Sequence, residues 1–502
     1  MKKVICATYE GIDAKIVDVE STLTKGLPSF SIVGMASTAI TEAKERVKSA
    51  LLSSDFSFPP KRITINLAPS DVKKEGSQFD LSIALLIALD YLESDFSEWS
   101  VFGELGLDGS VKENMQLYPL ILSLANQKLI SKVIVPDASL KKLSKIPNIE
   151  FYGVKSLQEA IELLKNQESA MPTTMQSSIE YPFYEIADEK YYYIKEYQDD
   201  FIDVKGQEVA KRAALISATG FHNILFEGSP GCGKSMVAKR MRYILPPMSS
   251  DEILDVAKLQ ALEFKEPEFK PHRNMRSPHH SSTLGSIFGG GSHKAQIGEV
   301  GLAHKGILFF DELPHFSKNV LEALREPMQD NRIRISRVNT KVEYPSDFLF
   351  IGAMNPCPCG NLLNQAKECR CSDLEIQRYK NRLSEPFLDR VDLSVVMQSV
   401  SADDKASFTS KELHKMVVQA HIFSKNRGQN SFNAKLNDAE IEKFCLLNDE
   451  AKDVLDMAIG RFDLTFRSIK KVQKVARTIA DLDSSDAIEK SHILEALSYR
   501  RR

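Results

Sequence analysis

The sequence of 502 residues predicts an α/β protein that ends in a helical domain. Three observations support this prediction. Strand-like and helix-like patterns alternate over residues 1–165, a glycine-rich turn joins a strand to a helix near residue 230, and residues beyond 400 show helical periodicity only. The chain is also long enough for several domains, each with its own core.

The composition excludes several broad classes of protein. The apolar fraction of 43% and the charged fraction of 26% are ordinary for a globular protein, and the longest apolar run, LSIALLIAL, is too short to span a membrane. The N-terminus lacks the apolar segment of a secretory signal. Cys6, Cys232 and Cys445 are scattered and form no disulfide framework, so we expect a reducing, cytoplasmic location. A net charge of −3 excludes a protein that is basic throughout but allows a local basic channel.

The first 165 residues predict a domain of mixed strands and helices. KRITINLAP alternates β-branched residues as a strand does, DLSIALLIALDYL has the length of a helix, and SKVIVP has the pattern of a short buried strand. Residues 166–200 are polar and show no periodicity, which predicts a linker between domains.

Two further domains are predicted after this linker. Residues 201–400 form a mixed α/β block, and residues 401–502 are helical. Within LTFRSIKKVQKVARTIADL, apolar residues recur at steps of three and four, which indicates one face of a long helix. These residues are Ile469, Val472, Val475, Ala476 and Ile479.

The glycine-rich turn matches the pattern GxxxxGK[ST] within NILFEGSPGCGKSMVAKRM. A strand precedes it and a helix follows, so main-chain N–H groups can converge on phosphate oxygens at a helix N-terminus. Lys234 would reach the β- and γ-phosphates of ATP, and Ser235 would ligate Mg²⁺. An ordinary strand-to-helix turn is the alternative. The predicted nucleotide-binding residues are Gly228, Ser229, Pro230, Gly231, Cys232, Gly233, Lys234 and Ser235.

A second strand, GILFFDE, ends in two adjacent carboxylates. Asp311 can hold Mg²⁺ through water, and Glu312 can polarise the attacking water as a general base. A strand that ends in two solvated acids is the alternative. The strand FLFIGAMN ends at Asn355, whose amide suits the orientation of that water. Together these residues predict ATP hydrolysis.

The chain resembles, essentially end to end, the YifB/ComM family of magnesium-chelatase-like AAA+ ATPases. The motifs that carry the resemblance are GQEVAKRAALISATGFHNILFEGSPGCGKSM, GEVGLAHKGILFFDEL, AMNPCPCG, PFLDRVDL and ARTIADL. The resemblance implies an N-terminal Lon-protease-like α+β domain, an AAA+ P-loop α/β domain with β-hairpin insertions, and a C-terminal helical lid. It also implies a homo-hexameric ring.

The resemblance implies roles for three further side chains. Asn355 matches sensor 1, Arg390 matches the arginine finger that a neighbouring subunit inserts beside the γ-phosphate, and Arg467 matches the sensor 2 arginine of the lid. A guanidinium group stabilises charge that develops on transferred phosphoryl oxygens. A surface salt bridge is the alternative for either arginine alone. Whether Arg467 acts on its own subunit's nucleotide or a neighbour's is left open.

Members of the family carry insertions that project into the pore of the ring. The candidates here are residues 279–299 and residues 332–345. A ring of basic hairpins would bind single-stranded or branched DNA through its phosphates, whereas an exposed hairpin with solvated charges is the alternative. The basic residues of the second candidate are Arg332, Arg334, Arg337 and Lys341.

The N-terminal domain resembles the proteolytic domain of Lon proteases in KKEGSQFDLSIAL and GELGLDGSVKENMQLYPL. In this alignment, Gln78 stands at the position of the nucleophilic serine and Tyr118 at that of the catalytic lysine. A glutamine cannot act as the nucleophile, and a tyrosine is a poor replacement for the lysine base. We therefore expect this domain to bind partners or assemble the ring, not to cleave peptides.

Four of the seven cysteines fall within PCPCGNLLNQAKECRCS, residues 356–372. Two C-x-C pairs, nine residues apart, could close a tetrahedral Zn²⁺ site, although structural zinc pairs usually have at least two residues between their cysteines. Four reduced thiols or a redox-sensitive pair are the alternatives. The predicted zinc ligands are Cys357, Cys359, Cys369 and Cys371.

The resemblance implies a DNA motor with helicase-like branch-migration activity in recombination or natural transformation. Its implied partners are DNA and recombination proteins, without membrane contact. A magnesium-chelatase motor subunit is an alternative, but the chain lacks the DxSxS metal-adhesion motif of that system's partner. A Lon-type protease or unfoldase is disfavoured by Gln78 and Tyr118, and a nucleotide-dependent scaffold or protein remodeller remains a further hypothesis.

Overall fold

The structure, a computed structural model, describes residues 2–173, 179–290, 296–336, 341–364, 367–399, 401 and 404–500. The chain forms two compact units. Unit 1 comprises Met1–Glu180 and Ile253–Lys270, and unit 2 comprises Tyr181–Glu252 and Pro271–Arg502. Among the described residues, the helices are all too short or too polar to cross a membrane.

Unit 1 is an α+β unit built on a seven-stranded mixed sheet. The central pair is antiparallel, and the strands beyond it on the side of Trp99–Val101 run parallel to one another. In spatial order the strands are Ser29–Val33, Arg62–Ala68, Asp13–Thr24, Lys2–Glu10, Trp99–Val101, Lys132–Pro136 and Glu150–Val154.

Helices cover this sheet and complete the core of unit 1. The helix Asp80–Ala88 is buried along its whole length, which explains why DLSIALLIAL shows no polar face. Leu254, Ala257 and Ala261, from the stretch that returns to unit 1, join the same core. A small pair of strands, Glu104–Leu105 and Val111–Lys112, completes the unit. The helices of residues 2–173 are Thr38–Ser53, Asp80–Ala88, Leu117–Asn126, Leu140–Leu143 and Leu157–Lys165, with a 3-10 turn at Asp137–Ser139.

Unit 2 contains a five-stranded sheet in which all strands are parallel. Two of its inner strands, Ile307–Phe310 and Leu349–Met354, are fully apolar and buried, as is typical of a parallel sheet covered on both faces. The strands, in spatial order, are Met275–Arg276, Ile307–Phe310, Leu349–Met354, Ile224–Gly228 and Leu393–Met397. The helices are Glu208–Gly220, Lys234–Met241, Leu284–Phe288, Glu299–Leu302, Lys318–Ala323, Arg325–Asp330, Asp373–Lys380 and Glu385–Leu388, with 3-10 turns at Phe201–Asp203 and Leu313–His315. The helix Ser250–Leu262 begins in unit 2 and belongs to unit 1 from Ile253 onward.

Two hairpins extend from this α/β core, as the resemblance implies. The first pairs Gly289–Gly290 with Gln296–Ile297, and the second pairs Arg332–Ser336 with Lys341–Pro345.

The C-terminal part of unit 2 is helical, as the sequence predicts. The amphipathic helix Phe466–Leu482 buries Val472, Val475 and Ile479 in the core that it shares with Glu208–Gly220. The helices of this part are Ser410–Asn426, Asp438–Phe444, Asp449–Phe462, Phe466–Leu482 and Lys490–Ser498, with a 3-10 turn at Asn433–Lys435.

Two features differ from the predicted domain boundaries. The range 166–200 includes the hairpin Phe183–Ile186 and Glu189–Tyr192, which pairs with Met248–Ser249 and belongs to unit 2. Residues 253–270, predicted to lie inside the second domain, pack in the core of unit 1. A helical pattern reports which face is apolar but not which core will cover that face.

Candidate nucleotide site

The phosphate loop lies at the carboxyl end of the strand Ile224–Gly228. Gly228 is packed too closely for a side chain, since an added Cβ would lie 2.7 Å from Cys232 Sγ and 2.8 Å from Met397 O. Gly233 adopts φ of 97°, a left-handed conformation that favours glycine, directly before the helix Lys234–Met241. The loop therefore turns sharply and presents the N-terminus of an eight-residue helix.

Lys234 points back into the loop that precedes it. Its Nζ donates to Gly228 O at 2.6 Å, to Ser229 O at 3.1 Å and to Asn355 Oδ1 at 3.2 Å. Burial lowers the pKa of the Lys234 ammonium group below its usual value. Three carbonyl oxygens thus hold the Lys234 ammonium group beside the loop. Phosphate oxygens of a nucleotide can take the place of these carbonyl oxygens.

The two predicted magnesium ligands are in contact. Ser235 Oγ donates to Asp311 Oδ2 at 2.7 Å, and Asp311 follows the strand Ile307–Phe310 directly. Hydroxyl and carboxylate oxygens are ligands that Mg²⁺ prefers, so this pair fits the ion. Glu312 has φ of 51° and its side chain is 55% exposed, so its carboxylate is open to water.

Asn355 follows the third strand of this edge, Leu349–Met354, and joins the phosphate loop through Lys234. Burial raises the pKa of the Tyr379 phenol to about 12, while the nearby main chain of Asn355 acts in the opposite direction. Tyr379 lies on the helix Asp373–Lys380, whose last residue makes a 3.0 Å ion pair with Glu227 beside the loop. The position of Tyr379 beside Asn355 depends on tertiary packing, so no local pattern in the sequence predicts it.

His280 is a second residue near the site to which the sequence assigned no role. Its Nδ1 lies 3.7 Å from Glu312 Oε2, beyond hydrogen-bond distance but close enough for a protonated imidazole to attract the carboxylate. The doublet His279 and His280 precedes the first hairpin, and only the fold shows that it reaches the carboxylate.

Arg390 and Arg467 lie at the opposite edge of the same sheet. Asn223, directly before the strand Ile224–Gly228, donates through Nδ2 to Arg390 O at 2.9 Å. The strand Ile224–Gly228 has five residues, with a rise of about 3.3 Å per residue. The separation between this edge and the phosphate loop is therefore longer than an arginine side chain. The structure therefore does not bring either arginine to the phosphate loop of its own chain.

The two arginines share one neighbourhood. Arg390 Nη2 donates to Gln329 Oε1 at 2.7 Å, and Arg467 Nη1 makes a 2.9 Å ion pair with Asp389. Burial, followed by repulsion from Arg467 and Arg325, lowers the pKa of the Arg390 guanidinium below its usual value. The salt bridge considered as the alternative for Arg467 is present, but both guanidinium groups remain partly exposed.

The basic hairpin is attached to unit 2 by its apolar face. Ile333 and Tyr344 are buried, whereas Arg332 and Arg334 are about half exposed on the other face. Both arginines form ion pairs with Glu343 at 3.0 Å. The sequence alone did not predict that Glu343 offsets their charge. Arg337 and the side chain of Lys341 lie outside the described residues.

The four clustered cysteines meet in one place. Their sulfur atoms all lie within 4.8 Å of one another, and Cys357 is fully buried. The main-chain N–H groups of Asn361 and Arg370 lower the pKa of the Cys359 thiol to about 6.

Gln78 and Tyr118 of unit 1 have structural partners. Gln78 Nε2 donates to Ala7 O and Glu75 O at 3.0 and 2.9 Å, and the Tyr118 hydroxyl lies 3.4 Å from Leu254 O. Burial raises the pKa of the Tyr118 phenol well above its usual value. Such a phenol gives up its proton reluctantly and is poorly suited to act as a base.

Comparison with known proteins gives full-length relatives. The chain is 37% identical to "Competence protein ComM" of Haemophilus influenzae, over 98% of this chain and 95% of that protein. It is equally similar to "Uncharacterized protein YifB" of Escherichia coli over the same shares, and 30% identical to "Uncharacterized protein Rv2897c" of Mycobacterium tuberculosis over 98% and 97%. The chain belongs to the YifB/ComM family of magnesium-chelatase-like AAA+ proteins.

Family models divide this YifB/ComM chain in the order that its motifs predict. "Magnesium chelatase, subunit ChlI" matches residues 200–405, "Subunit ChlI of Mg-chelatase" matches residues 19–139, and "Magnesium chelatase, subunit ChlI C-terminal" matches residues 407–500. The resemblance inferred from the sequence is thus confirmed, together with the AAA+ α/β fold and its helical C-terminal region. Membership in this AAA+ family indicates ATPase activity.

Proposed function

We propose that the protein hydrolyses ATP at the carboxyl edge of the five-stranded sheet. One observation supports this most strongly: three separate strands bring Lys234 to Asn355 and Ser235 to Asp311 at hydrogen-bond distances. A strand-to-helix turn without function has no need of a lysine, a hydroxyl, a carboxylate and an amide at one edge. ATP with Mg²⁺ is the ligand that this donor set fits.

Each residue of this edge has a defined task in the proposed reaction. Lys234 exchanges the carbonyls of its own loop for the β- and γ-phosphate oxygens, while the loop N–H groups hold the remaining charge. Ser235 and Asp311 would hold Mg²⁺, which would neutralise charge on the phosphates. Glu312 accepts a proton from the attacking water, and Asn355 orients that water.

The arginines complete the site from a neighbouring copy of the chain. Arg390 and Arg467 lie too far from their own phosphate loop, and they lie together, so we propose that both act in trans on the next subunit's nucleotide. Such a head-to-tail contact generates a closed ring when its rotation closes, and the proposed assembly is a homo-hexamer. For Arg467, which the sequence leaves open between its own subunit's nucleotide and a neighbour's, the proposal is the neighbour's.

We further propose that the ring acts on single-stranded or branched DNA. The relative named as a competence protein supports a role in competence or recombination. A helicase-like activity, with recombination proteins as partners, is part of this proposal. The exposed arginines of the hairpin supply the phosphate contacts. Because Glu343 offsets part of this charge, the contact with DNA is expected to be weak in each subunit and to strengthen by repetition around the ring.

The test is the ATPase rate against single-stranded and branched DNA at low and moderate salt. We expect DNA to stimulate the rate, and the stimulation to fall with salt. The Arg334→Ala/Arg337→Ala variant should keep its basal rate and lose the stimulation. An ATPase rate that does not change when DNA is added would contradict the DNA-motor proposal and favour a nucleotide-dependent scaffold or protein remodeller. Loss of the basal rate in the variant would show that these arginines serve the nucleotide site or the fold.

A further inference from the structure

The cysteine cluster has the dimensions of a mononuclear metal site. Cys357 Sγ lies 3.4 Å from Cys359 Sγ and 3.7 Å from Cys369 Sγ, and Cys359 and Cys369 are 3.6 Å apart. A tetrahedral Zn²⁺ ion with Zn–S bonds of about 2.3 Å places its sulfur ligands about 3.8 Å apart. A disulfide needs about 2.05 Å, so the four thiols lie too far apart for one and too close together to surround a multi-iron cluster.

The protein also offers polar groups around these sulfur atoms. Main-chain N–H groups of Asn361 and Arg370 lie near Cys359, and that of Cys371 lies near Cys369. The helix Asp373–Lys380 begins two residues after Cys371. N–H donors and a helix N-terminus both stabilise the negative charge of a zinc–tetrathiolate group.

The same segment touches the nucleotide site at three points. An added Cβ on Gly360 would lie 2.6 Å from Pro230 Cδ, so the segment backbone packs directly on the phosphate loop. The Tyr379 hydroxyl lies near the Asn355 main chain. Lys380 pairs with Glu227, one residue before the loop, at 3.0 Å.

We propose that Cys357, Cys359, Cys369 and Cys371 bind one Zn²⁺, and that this zinc holds residues 357–364 and 367–380 against the phosphate loop so that ATP hydrolysis requires it. This inference rests on the proposed ATPase function. Each ligating thiol releases its proton to water, and no oxidation takes place. Of the described residues between the two cysteine pairs, 360–364 and 367–368, only Gly360 is buried, so packing alone orders this part of the chain weakly and the metal supplies the constraint.

The test measures zinc and iron content by mass spectrometry together with ATPase kinetics, on the full chain. Wild type should carry about one zinc per chain, and Cys369→Ser/Cys371→Ser should carry less than about a tenth of that. The kcat of this double variant should fall about 10–100-fold, which is typical when a group that supports a site from behind is lost. Cys371→His, which keeps a zinc ligand, should retain metal and rate, and Cys445→Ala, which removes a buried cysteine outside the cluster, should match wild type.

Two measurements separate the proposal from simple misfolding. Removal of zinc from folded wild type by 1,10-phenanthroline in excess Mg²⁺ should lower the ATPase rate, and added Zn²⁺ should restore it. Tyr379→Phe, with the cluster intact, should keep its zinc and still lose several-fold in kcat. The proposal would be overturned if the wild-type protein contained iron or no metal. It would also be overturned if the loss of zinc left the ATPase rate unchanged. A wild type that holds zinc but never hydrolyses ATP would refute the ATPase function instead.

Discussion

The two edges of the five-stranded sheet differ in what they present. The carboxyl edge joins Lys234 to Asn355 and Ser235 to Asp311. The amino edge presents Arg390 and Arg467, which bind Gln329 and Asp389 of their own chain. One chain therefore holds the phosphate-binding half of the proposed site and presents the arginine half on the far side, so two copies are needed to complete one site.

Removal of the phosphate-binding lysine should have the largest effect. Lys234→Ala takes away the ammonium group that the phosphates would meet, so hydrolysis should fall about 1,000-fold and nucleotide affinity should fall with it. ATP turnover and the binding of a fluorescent ATP analogue measure both effects. Lys239→Ala, on the exposed side of the same helix, is the matched control and should behave as wild type. Normal turnover by Lys234→Ala would refute the assignment of this edge.

Loss of the general base should separate binding from chemistry. Glu312→Gln keeps the side-chain volume but cannot accept the water's proton, so we expect kcat to fall about 100-fold with ATP still bound. Bound nucleotide after gel filtration should be ATP and not ADP. Glu442→Gln, an exposed carboxylate of the C-terminal helices, is the control. Brisk turnover by Glu312→Gln would show that another group accepts the proton.

The smallest effect is expected at the hairpin. Glu343→Gln frees Arg332 and Arg334 from their shared partner, and exposed ion pairs of this kind contribute only about 0–1 kcal/mol. Half-maximal DNA stimulation should therefore move to a few-fold lower DNA concentration at low salt, and the gain should shrink as salt rises. An unchanged or weakened response would show that the hairpin arginines do not contact DNA phosphates.

The sequence predicted the carboxyl edge because its signals are local. A strand, a glycine-rich turn and a helix follow one another around Lys234, and Asp311 and Asn355 each end an apolar strand of a parallel sheet. The pairing of Glu343 with two arginines depends on hairpin register, and the contact of Tyr379 with Asn355 depends on packing. Neither leaves a periodic pattern in the chain. Residues 253–270 show the same limit, because their helical pattern does not specify which unit they join.

The most direct test of the split site mixes two inactive variants. Arg390→Ala keeps the phosphate-binding edge, and Lys234→Ala keeps the arginine edge, so each homogeneous ring should lose ATPase activity, Arg390→Ala by about 1,000-fold. Random mixing of equal amounts pairs the two intact edges at about a quarter of the subunit contacts. If the site is split between subunits, the mixture should recover up to about that fraction of the wild-type ATPase rate. A mixture as inactive as its components, in rings shown to exchange subunits, would contradict the split site.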